Sequence, residues 1–419
     1  QEIQKIKKYI TERPLEIQNQ IQNMPTPFLM HNNYNQYFED TISLSWEPSY
    51  IDRKKCTNYN LKISKSKLFE SEKTLFFNNL TDTFFTHHLI DGVYYWHINA
   101  IHEQEKTNGY NTRSFFTVGK GYKLESPIKK KVIIENENII IDKNIIIEED
   151  GELIIKGKST IHVYPNCQIS NFGTLKLLGY DNNVINIKAK DERFVWTGIY
   201  SEGILDVQHT NFSQIKGNSI IRQIGGKARM KYCKGSNNDV RETVSFNHCP
   251  VEISYNYFNH NTGEGILFLD CSGVAHNNTI LNINDAIEAT KCQDMKIFDN
   301  FILRSGDDGI DINYGRQIYV HKNTIIDSKD KGISLTLDSM FKHNEISENM
   351  IFFNNIGIGL EGAGTAILNK NQYVENTNKI LIEHPKKIEI LEDSQKNKKQ
   401  RIIYIMIAVT ILIIILKKK

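Results

Sequence analysis

The sequence predicts an all-β fold dominated by a solenoid of stacked parallel strands. One observation behind this prediction is an internal repeat of about 22 to 23 residues in the second half of the chain. A second is that the strand-like segments around this repeat are not joined by hairpin turns, whereas shorter alternating segments near the start indicate a separate antiparallel sandwich. Because one repeat unit cannot bury its own apolar face, successive units must stack.

The repeat is marked by asparagines at nearly constant spacing. They lie 22, 22, 23, 26 and 22 residues apart, at Asn256, Asn278, Asn300, Asn323, Asn349 and Asn371. With one coil per repeat, equivalent residues lie about 4.8 Å apart, so the asparagines are predicted to form a ladder of hydrogen-bonded amides. Cys249, Cys271 and Cys292 follow a similar period and are predicted to form a buried column of thiols rather than a disulfide or a metal site.

The region before the repeat supports the same architecture. The stretch "NIIIEEDGELIIKGKSTIHVYPNCQISNFGTLKLLG" and the segment "WTGIYSEGILDV" resemble the first coils of the pectin-lyase-like superfamily. The resemblance covers residues 131 to 390 and implies a right-handed parallel β-helix. It leaves the activity open, since this superfamily includes hydrolases, lyases, epimerases and non-catalytic surface proteins.

Residues 25 to 118 show short alternating runs separated by polar turns, among them "TISLSW" and "RSFFTV". The segment "LIDGVYYWHINA" resembles a fibronectin type III module, with Gly92 and Tyr94 at the position of the tyrosine corner and Trp96 facing inward. Trp46 matches the tryptophan of an early strand. The resemblance implies a spacing or binding module, and residues 119 to 130 are interpreted as a basic linker.

Both ends of the chain suggest further context. Residues 1 to 24 have helical periodicity, and "YITERPLEIQNQIQNM" faintly resembles the closing helix of spore-coat-H-type kinase domains, which implies the end of an upstream domain. After a juxtamembrane linker, residues 391 to 401, the 15 residues 402 to 416 are almost all apolar and predict a transmembrane helix flanked by basic residues. The predicted location is extracytoplasmic and anchored to a membrane.

Composition excludes one class of partner. There are 51 Lys and Arg residues against 49 Asp and Glu residues, which leaves a net charge of +2. Because no basic field covers the chain, nucleic acid is not a predicted partner. The histidines of the repeat region, His260, His276, His321 and His343, share no metal-ligand spacing and are interpreted as surface or turn residues.

Acidic residues gather on a few successive coils rather than spreading along the stack. Each repeat also contains a small residue followed by isoleucine, as in Ala286-Ile287 and Gly309-Ile310. When the repeats are aligned on these pairs, one column holds Glu264, Asp285, Asp308 and Lys331. Asp307 and Asp330 lie in the column before it, and Glu288 and Asp311 lie beyond the isoleucine. Carboxylates one coil apart repel each other, which raises some of their pKa values or recruits a cation.

The segments "NINDAIE" and "SGDDGIDI" resemble the N-x-D and D-D motifs of polygalacturonase-type glycoside hydrolases. This resemblance implies that Asp285, Asp307 and Asp308 protonate the leaving oxygen and activate water. The chain departs from that pattern at 330 to 332, where "DKG" replaces Gly-His-Gly, and no R-x-K follows in the next coil. The departure puts specificity for pectin in doubt.

Two other interpretations remain open for the same residues. Polysaccharide lyases of this fold hold Ca²⁺ with acidic residues and use a Lys or Arg to remove the proton beside a uronate carboxylate. By this resemblance Asp308, Asp285 and Glu264 would hold Ca²⁺ and Lys331 would be the base, since oxygen-only ligands suit Ca²⁺. In a non-catalytic protein, Lys331 would only neutralise Asp308, and the solenoid would bind glycan or serve as a stalk. All of the functional interpretations except the stalk name a polysaccharide as the partner.

Overall fold

The computed structural model of the protein describes residues 24–31, 36–51, 54–56, 58–110, 115–190, 195–338, 344–383 and 388–392. The chain divides into two compact units, Gln1–Val244 and Ser245–Lys419. Regular structure in the described residues is almost entirely β, apart from one 3-10 turn at Ser71–Lys73.

The first unit begins with an antiparallel sheet system. Its strands are β1 (Phe28–Leu29), β2 (Gln36–Phe38), β3 (Thr41–Ser45), β4 (Tyr50–Ile51), β5 (Lys54–Lys55), β6 (Tyr59–Ser64), β7 (Thr74–Leu80), β8 (Phe84–His88), β9 (Gly92–His102), β10 (Glu105–Tyr110) and β11 (Phe115–Val118). Strand β9 is central and pairs antiparallel with β6, β10 and β11, while β3 pairs with β8 in a separate two-stranded sheet. Two short edge strands, β1 and β2, pair parallel with β10 and β11.

Alternation along β9 explains how this sheet system makes its core. Trp96, Ile98 and Ala100 are fully buried while their neighbours are half-buried, because successive side chains of a strand point to opposite faces. Trp46 joins the same core. Tyr94 donates a hydrogen bond from its hydroxyl to the Ile90 carbonyl at 2.8 Å, which is the local geometry of a tyrosine corner.

The rest of the first unit consists of coils that each contribute strands to three parallel sheets. The first sheet contains β12 (Tyr122–Lys123), β14 (Asn138–Ile141), β17 (Thr160–Val163), β20 (Ile185–Ala189), β23 (Thr210–Phe212) and β26 (Lys234–Ser236); the second contains β13 (Lys131–Glu135), β16 (Glu152–Lys156), β19 (Thr174–Leu178), β22 (Ile204–Gln208) and β25 (Lys227–Lys231); the third contains β15 (Ile145–Ile147), β18 (Ile169–Asn171), β21 (Ile199–Ser201) and β24 (Lys216–Ile224). The unit boundary falls within β27 (Asp239–Asn247).

The solenoid starts earlier than the sequence predicted. Tyr122 and Lys123, inside the segment interpreted as a linker, pair with Ile139 and Ile140 of β14. Ile128 forms a bridge with Ile147 and is buried. The first coil therefore includes part of residues 119 to 130, in which Leu124 and Ile128 are buried.

The second unit repeats the three-sheet arrangement. Its first sheet contains β29 (Tyr257–Asn259), β32 (Thr279–Leu281), β35 (Phe301–Leu303), β38 (Thr324–Ile326), β41 (Met350–Phe352) and β44 (Gln372–Val374); its second contains β28 (Pro250–Ser254), β31 (Ser272–His276), β34 (Met295–Phe298), β37 (Tyr319–His321), β40 (Asn344–Ser347), β43 (Gly364–Asn369) and β46 (Ile388–Glu392); its third contains β30 (Glu264–Leu269), β33 (Ile287–Thr290), β36 (Ile310–Asn313), β39 (Lys331–Leu337), β42 (Ile356–Gly362) and β45 (Asn378–Ile382). Neighbouring strands within these sheets pair in parallel.

The predicted asparagine ladder is present in this unit. In each step, the backbone N–H and the side-chain Nδ2 of one asparagine donate to Oδ1 of the asparagine one coil further on, as from Asn278 to Asn300 at 3.0 Å. The same pair of bonds links Asn256, Asn278, Asn300, Asn323, Asn349 and Asn371 in order. Each amide thus satisfies a buried turn N–H that has no partner in the sheets.

The cysteines also behave as predicted. Cys249, Cys271 and Cys292 are free and buried, and the sulfur atoms of Cys249 and Cys271 lie 4.0 Å apart. Cys271 and Cys292 each lie two residues after the end of a third-sheet strand, β30 and β33 respectively. They fill a turn as small apolar groups.

Within the described residues, no helix has the length and apolar character needed to cross a bilayer. The predicted span at residues 402 to 416 and nearly all of the predicted helical segment at residues 1 to 24 lie outside the described part of the chain.

Candidate functional site

The acidic residues lie in the turns that lead into the third sheet of the second unit. Buried isoleucines set the register there, since Ile287 pairs with Ile310 and Ile310 with Ile333. Each of these side chains is fully buried, so a slip of one residue would expose the core. The residues just before the isoleucines are therefore brought into line on successive coils, as the sequence predicted.

Asp285, Asp308 and Lys331 form a chain of hydrogen bonds across three coils. The N–H of Asp308 donates to Oδ1 of Asp285 at 2.8 Å, and the N–H of Lys331 donates to Oδ1 of Asp308 at 2.7 Å. The Lys331 ammonium lies 3.7 Å from Oδ2 of Asp308. Each carboxyl group thus stabilises the turn of the next coil, and that of Asp308 also lies close to a cation.

Burial changes the ionisation of these two carboxyl groups. Asp308 is only 7% exposed, and desolvation raises its pKa to about 7, against the opposing effects of the Lys331 N–H and ammonium. Desolvation also raises the pKa of Asp285 to about 6, with smaller contributions from the charges of Asp307 and Asp311. Both groups therefore exchange protons close to neutral pH rather than near pH 4.

Asp307 differs from its neighbour because it faces solvent. One carboxylate oxygen from each of Asp307, Asp308 and Asp330 lies within 4.8 Å of the others. A second group with the same property consists of Glu264, Asp285 and Glu288. The three carboxylates predicted from the sequence therefore belong to two neighbouring oxygen groups, which the hydrogen bond from Asp308 to Asp285 connects.

Lys331 is held as a cation. Burial opposes its charge, but the hydrogen bond to Asp330 at 2.7 Å and the charges of Asp308, Asp330 and Glu361 outweigh this and raise its pKa above the usual lysine value. Its stem packs over Gly359, where an added Cβ would approach the Lys331 Cδ to 2.4 Å. A side chain at position 359 would therefore force the Lys331 side chain to move.

Asp311 forms the far edge of the site on the outer face of β36. It pairs in register with Glu288 and with Ser334, which is the column that the sequence alignment placed beyond the isoleucine. Desolvation raises its pKa, while hydrogen bonds from Asn313 and Ser334 oppose the shift. Glu288, Asp311 and Asp330 were assigned to columns from the sequence but not to the site; their contacts with the predicted residues place them in it.

Two of the histidines interpreted as surface or turn residues, His276 and His321, instead lie in strands. His276, Phe298 and His321 pair in register on β31, β34 and β37, and their rings stack at centroid distances of 4.7 and 5.0 Å. The spacings of 22 and 23 residues follow the repeat, but the column changes residue type from histidine to phenylalanine and back. His343 lies outside the described residues.

Two open cavities occur away from the acidic residues. One, in the first unit, has a volume of about 420 Å³ and is lined mainly by amide and hydroxyl side chains. The other, in the second unit, has a volume of about 560 Å³ and is lined by Lys291, Cys292, Gln293, Tyr314, Arg316 and Asp338. Sequence patterns predicted neither.

Comparison with known proteins agrees with the strand topology. Residues 242–394 match the family model described as "right handed beta helix region". This part of the chain is a right-handed β-helix. No curated protein matches the chain.

Solved structures with similarity to the chain were also found. They include an alginate lyase from Paenibacillus sp., at 13% identity and a TM-score of 0.34 over 56% of this chain and 93% of that one. The tailspike protein of Escherichia coli bacteriophage HK620, in complex with a pentasaccharide, matches at 11% identity and a TM-score of 0.37 over 63% and 59%. A family 28 exopolygalacturonase from Yersinia enterocolitica matches at 9% identity and a TM-score of 0.29 over 88% and 98%.

Proposed function

We propose that the β-helix cleaves polysaccharide as a glycoside hydrolase, acting at Asp285, Asp307 and Asp308. The observation that carries this proposal is the contrast within the "SGDDGIDI" turn. Asp308 is buried with a pKa of about 7, while the adjacent Asp307 is exposed. Glycoside hydrolysis needs one carboxyl group that keeps its proton and a second that is ionised, and different environments supply both.

The hydrogen bonds assign roles to the oxygens. Oδ1 of Asp308 already accepts the Lys331 N–H, so a proton would lie on Oδ2, near the Lys331 ammonium. Asp307 is the carboxylate that a solvent-borne glycan would meet first. Asp285 accepts the Asp308 N–H with one oxygen. Its other oxygen can accept the proton of the attacking water, so Asp285 would act as the base.

The chemistry of Lys331 weakens the lyase alternative. Removal of a proton beside a uronate carboxylate requires a neutral base, but the contacts of Lys331 with Asp330 and Asp308 keep its amine protonated. The two groups of carboxylate oxygens, each within 4.8 Å, would still suit Ca²⁺ as a ligand set. The assay therefore compares cleavage with and without Ca²⁺.

A non-catalytic glycan-binding or adhesive protein is the second candidate. The observation in its favour is that Asp285 and Asp308 each use one oxygen to hold the next turn. In that case the carboxyl ladder is structural, and the exposed acidic surface only contacts the ligand.

The decisive experiment is a screen of neutral and acidic polysaccharides for new reducing ends, with and without Ca²⁺, using the parent chain and Asp308→Asn. Asparagine retains an oxygen acceptor for the Lys331 N–H, so the turn should persist while the transferable proton is lost. We expect at least a hundredfold lower cleavage by the variant, consistent with typical contributions of general acids. Asp327→Asn, at an exposed carboxylate paired with Arg304, is the matched control.

Equal cleavage by the parent and Asp308→Asn would refute the assignment of the acid. Binding without cleavage by either protein would favour the adhesive function.

Three further features of the chain remain proposals. We propose that residues 402 to 416 anchor the protein in a membrane with the β-helix on the extracytoplasmic side, since the apolar run is flanked by lysines and Arg401. The tyrosine-corner bond of Tyr94 and the buried Trp46 support a fibronectin type III-like spacer before the solenoid. Residues 1 to 24 would then be the end of an upstream domain.

A further inference from the structure

The open cavity of the first unit lies at the start of its third-sheet strands. It is lined by residues just before β15, β18 and β21 and by residues of β21 and β24: Asn144, Asn166, Gln168, Thr197, Ile199, Tyr200, Gly217, Asn218, Ser219 and Arg222. In the second unit, the turns before the corresponding strands β33, β36 and β39 carry the carboxylates. The same structural position thus carries amides and hydroxyls in one unit and acids in the other.

The lining side chains offer both donors and acceptors of hydrogen bonds. Asn144, Asn166 and Asn218 are exposed, and Gln168 is half-buried. Each amide carries an oxygen acceptor and an NH₂ donor, which matches a hydroxyl group that can donate and accept. The position of the wall is fixed, since Oδ1 of Asn144 accepts the Gln168 N–H at 3.0 Å and the Thr197 hydroxyl donates to the Cys167 carbonyl at 3.1 Å.

An aromatic pair borders the same groove. Tyr200 is half-buried and lines the cavity, and its ring packs edge-to-face against Phe172, which is 39% exposed, at a centroid distance of 6.3 Å. Tyr200 also pairs in register with Arg222 on the neighbouring strand. An aromatic ring beside amides and a guanidinium presents an apolar face next to polar groups, which fits the C–H face and the hydroxyl edge of a sugar ring.

The charges around the groove are balanced. Arg222 is the one charged side chain among the residues that line the cavity. The carboxylate of Glu202 lies nearby and accepts a hydrogen bond from the Tyr200 hydroxyl. A ligand with a carboxylate on every sugar would be attracted by Arg222 and repelled by Glu202. A neutral oligosaccharide would experience neither of these charge interactions.

We propose that this groove is a non-catalytic binding site for a neutral oligosaccharide, with Tyr200 stacking on a sugar ring and the amides and Arg222 binding its hydroxyls. Its volume of about 420 Å³ lies within the range of ligand sites and would hold two to three sugar rings in an open groove. The proposal does not depend on hydrolysis at Asp308, because it rests on different residues in the other unit. It adds a second glycan contact to the chain and a preference for uncharged sugars.

The test measures binding of the full chain by calorimetry to cellohexaose, xylohexaose, mannohexaose and hexagalacturonate. We expect at least one neutral hexasaccharide to bind more tightly than hexagalacturonate. Tyr200→Ala should weaken that binding about five- to tenfold, and Arg222→Ala should weaken it as well. Hydrogen exchange should slow on binding in the segments around 197 to 200 and 217 to 222.

Two controls establish whether the oligosaccharide binds in this groove and not elsewhere on the chain. Tyr180→Ala removes an exposed tyrosine of the same unit that does not line the groove, and it should leave affinity unchanged. Hydrogen exchange is the second control, because a failure of the hydrolase proposal would leave the protection around 197 to 200 and 217 to 222 unchanged. The inference is overturned if none of the three neutral probes binds, if hexagalacturonate binds best, or if Tyr180→Ala weakens binding as much as Tyr200→Ala.

Discussion

At the scale of single residues, Asp308 shows how position in a coil controls ionisation. The sequence placed it in one column with Lys331, and the structure agrees: it is buried in the turn before β36 and its Oδ2 lies 3.7 Å from the lysine ammonium. What the sequence could not supply is the degree of burial, which depends on the packing of neighbouring coils. That burial raises its pKa to about 7.

This shift predicts a pH dependence of stability. An aspartate in the unfolded chain loses its proton near pH 4, whereas folded Asp308 holds it to about pH 7. Between these values the folded state binds more protons, so the free energy of unfolding falls as pH rises. Asp308→Asn lacks this loss and should be more stable than the parent at pH 8 by about 1 to 3 kcal/mol, with part of the shift screened by solvent.

Urea unfolding at pH 4, 6 and 8 measures the difference. Asp327→Asn, at an exposed carboxylate, should follow the parent at every pH. A difference between Asp308→Asn and the parent that is the same at pH 4 and pH 8 would contradict the assigned pKa.

Catalysis with Asp308 as the acid and Asp285 as the base should have a narrow pH optimum. Asp308 must be protonated and is so below about pH 7, while Asp285 must be ionised and is so above about pH 6. The profile of kcat/KM against pH should therefore be bell-shaped with its maximum between these values, which describe the coupled pair. Steady-state rates on a cleaved polysaccharide from pH 4 to 9 measure it. A rate that stays at its maximum well above pH 7 would exclude Asp308 as the acid, and an optimum below pH 5 would exclude Asp285 as the base.

At the scale of elements, one period explains most of what the sequence could predict. The asparagine spacing fixed the register, because a buried amide that accepts two hydrogen bonds from the preceding coil tolerates no slip. The 26-residue interval between Asn323 and Asn349 is absorbed outside the ladder, whose bonds there are 2.9 and 3.0 Å. The aromatic column of His276, Phe298 and His321 was not predicted from the period, because different residue types occupy it.

The ladder makes a quantitative prediction. Asn300→Ala removes the acceptor of two donors on Asn278 and the donor to the Ala275 carbonyl, all of them buried. Leaving these groups unpaired should lower the free energy of unfolding by about 2 to 4 kcal/mol. Urea denaturation measures the loss.

Asn371→Ala is the matched control for this rung. Asn371 makes equivalent bonds at the last rung, but it is half-buried, so water can replace part of them. Its loss should be at most half as large. Equal losses at the two positions would show that burial does not set the strength of the ladder.

At the scale of the whole molecule, the chain keeps its charges local rather than global. Its net charge is only +2, yet six carboxylates, that of Asp308 among them, lie together on successive coils. They form two groups of three, and within each group one oxygen from each residue lies within 4.8 Å of the others. Stacking of coils concentrates them, since residues 23 positions apart become neighbours one strand spacing apart. Periodicity therefore predicted the acidic columns, whereas the groove of the first unit was not predicted, since Tyr200 and Arg222 each occur on a single coil.

The last prediction concerns the C-terminal end. Residues 402 to 416 are nearly all apolar and are bounded by Arg401 and Lys417 to Lys419. A helix of 15 residues spans only about 22 Å, but lysine and arginine side chains can extend to the headgroups, and a bilayer can thin at modest cost. We expect the full chain to remain in the membrane fraction after an alkaline wash, and deletion of Ile402 to Lys419 to release it into the supernatant. Deletion of Lys417 to Lys419 alone keeps the apolar run and should leave the chain in the membrane fraction. Recovery of the intact chain without detergent as a monomer in the supernatant would rule out the anchor, because 15 consecutive apolar residues exposed to water would instead drive association.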